Sequence, residues 1–197
     1  TILYVKEYFL FHPSIITHPR QRHHSMNRGK ELNMLRELKE EDHEALLALN
    51  NASTPAVNPL TLVELKSILS IAEKCWIEEI NGKLLAALII IGPDQTYSSD
   101  NYTWLETQFS NYCYVDRIMV DQNHKRKGFG NKLYQELEKY AECNDARTLL
   151  CEVNLEPPNP QSIAFHTRLN WEPFFEREHG PGKKVQYFKK DINPAQQ

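Results

Sequence analysis

Lys125-Arg126-Lys127-Gly128-Phe129-Gly130 is the run of this chain best suited to holding a pyrophosphate. Gly128 and Gly130 carry no side chain to keep a phosphate away from backbone N–H groups, while Lys125, Arg126 and Lys127 add positive charge. The turn follows the apolar stretch 112–120. It leads into an amphipathic stretch with Leu133, Tyr134, Leu137, Tyr140 and Ala141 on one stripe. Strand, basic turn and helix in that order place the helix's unpartnered N–H groups and its positive dipole end at the glycines. His124 and Lys132 extend the basic cluster. A solvated charge run is the ordinary reading of such a cluster, and the adjoining glycines and helix start outweigh it here.

The elements around the turn follow from periodicity. Leu35–Lys39 reads as a strand and Glu41–Asn50 as a helix with Ala45, Leu46 and Leu49 inward. Thr61 and Glu64 form a capping-box signature for a second helix ending near Ala72. Cys75–Ile80, Asn81-Gly82 and Lys83–Ile91 read as strand, type I′ turn and strand. Pro93–Asn111 is a long polar and aromatic insertion, of a length that is uncommon unless functional or disordered. Thr148–Val153 is a strand, Ser162–Leu169 a short helix, and Phe174–Arg177 with Val185–Lys189 a terminal strand pair around His179-Gly180-Pro181-Gly182. The fold class expected is α/β, a mixed sheet with helices on its faces.

The first 33 residues differ in character. Their histidines, prolines and basic residues show no period, so they read as a poorly structured or expression-derived extension, with residues 34–194 as a single folded domain. A signal peptide fits them poorly, and no metal site is placed on His18, His23 and His24. A net charge of −3 argues against a general nucleic-acid-binding surface. The longest apolar run, Leu84–Ile91, is far short of the roughly 20 residues that span a bilayer, so no membrane partner is expected. Four cysteines without CxxC spacing suggest reduced core thiols, a cytoplasmic setting and no metal.

Two segments together resemble the GNAT superfamily of N-acetyltransferases. Lys125 to Gly130 is similar to the family's acetyl-CoA loop, [Arg/Gln]-x-x-Gly-x-[Gly/Ala], with lysine at the first position; charge is kept and the planar fork lost. Asn159, Ser162, Phe165 and Leu169 match the family's late helix motif, where His166 stands at the usual tyrosine and Asn170-Trp171 replaces Gly-Phe. The resemblance implies a GNAT-like fold whose central mixed sheet is mostly antiparallel. It implies acetyl-CoA lying where strands 112–120 and 148–153 splay apart, hydrogen-bonded by Ile118 and Val120. The N–H groups of Arg126, Lys127, Gly128, Phe129, Gly130 and Asn131 would hold its pyrophosphate, and Asn159 would contact its arm.

The implied reaction is direct attack of a primary amine, of a small molecule or a peptide, on the thioester. A base must free the amine and an acid must protonate the leaving thiolate. Asp116 is the expected base, on one strand face with Tyr114, Ile118 and Val120; the alternative is that it pairs with Arg117. Glu152 and Asn154 are further base candidates. His166, at the tyrosine position, is the expected acid; simple packing is the competing reading. Cys113 and Cys151 lack a paired base and read as core. Tyr97, Tyr102, Trp104 and Phe109 could wall an acceptor pocket, or equally anchor a loop or a homodimer contact. A non-enzymatic alternative is an acyl-CoA-binding sensory or partner-binding module.

Overall fold

The computed structural model describes residues 33–192. Strand β1 (Asn33–Glu37) leads through a 3-10 turn into helix α1 (His43–Ala52). Arg36 closes this entry, donating to Asp42 at 2.6 and 2.9 Å and to Glu79 at 2.7 Å. Helix α2 (Leu62–Ile71) starts at the expected capping box: Thr61 Oγ1 accepts from Glu64 N, and the Glu64 carboxylate accepts from Thr61 N at 2.7 Å. Strands β2 (Lys74–Ile80) and β3 (Lys83–Ile91) join through Asn81 and Gly82. Both turn residues have positive φ, 51° and 78°, as a type I′ turn requires.

The Pro93–Asn111 insertion differs from expectation, because it contains helix α3 (Asp100–Glu106). Ser99 Oγ caps it by accepting from Tyr102 N. Two residues, Tyr102 and Leu105, are buried, and Tyr102 OH donates to the Gly92 carbonyl at 2.8 Å. A helix this short shows no period in sequence; its stability comes from that docking. Strand β4 (Tyr112–Val120), helix α4 (Phe129–Cys143), strand β5 (Thr148–Glu156), helix α5 (Pro160–Arg168) and strands β6 (Glu172–Glu178) and β7 (Lys184–Asp191) complete the chain.

The seven strands form one sheet in the order β1-β2-β3-β4-β5-β7-β6. Every neighbouring pair is antiparallel except β4 and β5. The sheet is therefore mixed and mostly antiparallel, as expected. One face packs on α4 and α5 through Leu85, Val115, Leu133, Leu137 and Val153. The other carries α1 and α2 over Ile77, Ala87, Ile89 and Met119, and α3 over Ile91, Tyr112, Tyr114 and Leu150.

Strand β4 is not regular. Ile89 pairs with Arg117 while Ile90 pairs with Val115, so Asp116 is the extra residue of a β-bulge. The bulge resets the side-chain alternation. Tyr114 lies in the cluster beneath α3, whereas Ile118 and Val120 pack on the α4 side. Asp116 does not share a face with Ile118 and Val120, contrary to the expectation from unbroken alternation.

Candidate active site

The β4–β5 ladder has three registered pairs, Tyr112–Thr148, Cys113–Leu149 and Tyr114–Leu150, and then stops. Each strand stays paired on its outer side, β4 with β3 to Val120 and β5 with β7 to Glu156. The bulge at Asp116 bends β4 where the inner edges part. The result is a V-shaped gap whose inner backbone edges can take an extended ligand as a short extra strand. A cavity of about 340 Å³ opens there. Asp116, Ile118, Tyr134, Glu152, Asn159 and His166 all line it. Two strands and two helices bring these residues together from a span of 50 positions of sequence.

The basic turn lies at the C-terminal side of β4. Asp121 Oδ1 accepts from Asn123 N at 3.0 Å and contacts His124 Nδ1 at 2.7 Å, shaping the approach. The N-cap of α4 is Gly128 at φ 92°, with no side-chain cap on the N–H groups that follow. A helix start that leaves its N–H groups uncapped beside exposed Lys125, Arg126 and Lys127 fits a pyrophosphate. None of those three cations enters an ion pair with described residues. Lys132 does: it bonds the buried Glu78 at 3.2 Å, so it serves the fold rather than the turn.

The two glycines divide their work. Gly128 meets no neighbour that a Cβ would touch, and its left-handed φ is what calls for glycine. A Cβ on Gly130 would stand 3.1 Å from the Phe165 ring, so its missing side chain lets α4 approach α5. Phe129 points into the core, leaving only its backbone for the cradle. Asn159 caps α5, its Oδ1 accepting from Ser162 N at 3.2 Å while the residue also lines the cavity. Val120 and residues 125–131 lie outside the cavity lining, along the path from the gap to the turn.

In the cavity wall the Asp116 side chain is 5% exposed. Its Oδ2 stands 3.0 Å from Arg117 Nε, and Oδ1 accepts from Tyr97 OH at 2.7 Å. Burial raises its pKa, and the adjacent guanidinium opposes that rise. Arg117 also donates to Asn50 Oδ1 at 2.9 Å and to the Asn58 carbonyl at 3.2 Å, tying the pair to α1 and the following loop. This is the ion-pair arrangement weighed as the alternative to base catalysis.

Glu152, across the gap on β5, is in no ion pair among the described residues. Tyr114 OH donates to Oε2 at 2.9 Å and Asn101 Nδ2 to Oε1 at 2.9 Å. Burial, then the neighbouring Asp116 charge, pushes its pKa up to about 7. A carboxyl group poised there can take a proton from an ammonium near neutral pH.

His166 sits between α4 and α5, 1% exposed. Its Nδ1 lies 2.8 Å from the Ser162 carbonyl, which only accepts, so Nδ1 carries the proton and donates. Nε2 lies 2.8 Å from Tyr134 OH and must accept from it. Burial lowers the imidazole pKa to about 4. At neutral pH Nε2 therefore has no proton to give, which does not suit the expected acid role. Tyr134, which periodicity places simply in the core stripe, lines the cavity beside His166, as do the hydroxyl-bearing Tyr97, Tyr114 and Ser162. Helical spacing hid Tyr134. Cys151 and Cys113 have thiol pKa values raised by burial, that of Cys113 to about 12, in keeping with inert core residues.

Residues 33–171 match the family model described as Acetyltransferase (GNAT) family, and the chain belongs to that family. No curated protein matches it in sequence. Among solved structures it is similar to an N-acetyltransferase from Staphylococcus aureus Mu50, with TM-score 0.63 and 22% identity over 82% of this chain and 99% of that one. It is similar also to the ribosomal-protein-S18-alanine N-acetyltransferase of Escherichia coli, with TM-score 0.65, 18% identity, and coverage of 83% and 96%. A third is yncA from Salmonella typhimurium, solved with its cofactor acetyl-CoA, with TM-score 0.61, 15% identity, and coverage of 84% and 96%. These likenesses establish the fold. Among the described residues no cluster could hold a metal ion, and no helix is long and apolar enough to cross a membrane.

Proposed function

We propose that the protein transfers the acetyl group of acetyl-CoA to a primary amine by direct attack in a ternary complex. The observation that carries this reading is the parted β4–β5 junction, between an uncapped glycine helix start and a cavity lined by Glu152, a carboxyl group in no ion pair among the described residues. When bound, acetyl-CoA supplies the electrophilic thioester. Ile118 and Val120 offer backbone groups to its arm, Asn159 a side-chain amide, and residues 126–131 their N–H groups to its pyrophosphate.

Glu152 is the base in this reading: it takes the ammonium proton, and Asp116, held by Arg117 and Tyr97, sets the charge around it. Tyr134 OH turns from His166 toward the leaving sulfur as proton donor. Its high pKa, raised by burial, keeps that hydroxyl protonated until the thiolate forms. His166 positions Tyr134. Residues 34–194 are the catalytic domain, and the four free cysteines support a cytoplasmic setting.

Thiol release from acetyl-CoA over an amine panel tests the proposal. Acceptor-dependent release, lost in Glu152→Gln, is the expected result. Tight acetyl-CoA binding without release for any amine would instead identify an acyl-CoA-binding module.

A further inference from the structure

His179 follows β6 at the hairpin turn, and its side chain is 6% exposed. The turn is closed by His179 N donating to the Lys183 carbonyl at 2.8 Å and Lys183 N donating to the Gly180 carbonyl at 3.1 Å. Arg177 Nη1 donates to the Asp100 carbonyl at 3.1 Å, which fastens the hairpin to the first turn of α3. The ring lines the same cavity as Glu152. Its Nε2 is buried and has no hydrogen-bond partner among the described residues. A buried polar atom left without a partner is unfavourable, so this atom favours a ligand that completes it.

The neighbours decide what kind of ligand. Asp100 Oδ2 stands 3.9 Å from Nδ1, too far for a hydrogen bond but close enough to favour the proton on that nitrogen. Nε2 then carries the lone pair, on a residue that lines the cavity. The next residue, Asn101, holds Glu152 at 2.9 Å and accepts from Tyr187 OH at 2.7 Å. Two successive residues at the start of α3 thus set two acceptor groups, one neutral and one carboxylic, in one cavity.

We propose that Glu152 and His179 together select the acceptor: Glu152 takes the reacting amine, and His179 Nε2 receives a second N–H or O–H of the same molecule. The inference rests on the acetyl-transfer reading and names its substrate class, a small polar primary amine with a second hydrogen-bond donor. The cavity volume of about 340 Å³ is near the lower limit for ligand pockets, and on the acetyl-transfer reading the thioester takes part of it. That leaves room for a small molecule rather than a length of peptide.

The test compares the full chain with His179→Ala and His179→Gln, using acetyl-CoA with propylamine, ethanolamine, 1,3-diaminopropane and an alanine-initiated tetrapeptide. In His179→Ala, KM for ethanolamine and diaminopropane should rise on the order of tenfold, the loss of one hydrogen bond, with kcat and the acetyl-CoA KM little changed. Propylamine should respond by less than about twofold, and His179→Gln, which keeps an accepting oxygen, should recover part of the loss. In parallel, the His179 imidazole NMR signals of the wild type, with CoA present, should move on adding diaminopropane and not propylamine. Equal KM losses for propylamine and diaminopropane, or signals that no amine moves, would overturn the inference, as would a clear preference for the tetrapeptide. If no amine is acetylated but diaminopropane still moves the His179 signals, the acetyl-transfer reading falls and the two-point site stands.

Discussion

Glu152 lies in a wall made by Tyr114 and Asn101, and its elevated pKa makes it useful to chemistry and unfavourable to the fold. Between its ordinary carboxyl range and about 7 the folded state binds more protons than the unfolded one. The stability this group contributes is full below that range and is lost as pH rises through about 7. Glu152→Gln should therefore unfold at a higher temperature than wild type at pH 8, with the gap narrowing toward pH 5. The ceiling on that gap is about 3 kcal/mol, from a shift of two to three pH units. Its turnover should fall on the order of a hundredfold or more, and the wild-type rise in kcat/KM with a limb near 7 should vanish. Stopped thiol-release assays and thermal melts across pH check both. Tyr134→Phe should lower kcat on the order of tenfold or more with the acetyl-CoA KM unchanged. A turnover and pH profile unaltered in Tyr134→Phe would eliminate it as the donor.

At the scale of the element, the glycine turn and the β4 bulge do the positioning. Gly128 and Gly82 both have positive φ, so alanine at either should cost about 1–2 kcal/mol of stability. Only Gly128→Ala should also weaken acetyl-CoA binding, read by calorimetry, because only its N–H neighbours face the cradle. Equal loss of affinity in Gly82→Ala would sink the distinction. Helix α3 carries Asn101, which holds Glu152, and Ser99→Ala, removing the helix cap, should cost about 1 kcal/mol. These elements were unequally legible. The capping box at Thr61 and the Asn81-Gly82 turn were readable because each depends on a few adjacent residues. Helix α3 was not, since its seven residues are held by Tyr102 and Leu105 docking on distant strands. The bulge at Asp116 was unreadable for a similar reason: it exists in the pairing with Ile89 and Ile90.

For the molecule as a whole, the exposed basic turn stands out against a net charge of −3. Binding of acetyl-CoA should accordingly weaken with salt, since exposed charges are screened within about 10 Å at 0.1 M. Neutralising Lys125 and Lys127 together should flatten that dependence without altering the melting temperature by more than a degree or two. A chain limited to residues 33–197 should melt as one transition and keep its acetyl-CoA affinity, as expected if 34–194 are the catalytic domain.

By itself the sequence determined the strand-turn-helix segment, the late helix motif and the mixed sheet that joins them, the half of the protein proposed to hold the donor. Those features are local, and backbone N–H groups at a helix start bind phosphate wherever the helix is placed. Only the tertiary structure decided the surroundings of the residues proposed to meet the acceptor. Asp116 became an ion-paired residue beside a bulge, Glu152 a carboxyl group whose pKa burial raises, and His166 the partner of Tyr134 through the packing of α4 against α5. A carboxyl group's pKa and a histidine's tautomer are set by what surrounds them, and in this fold those surroundings come from residues far apart in the chain.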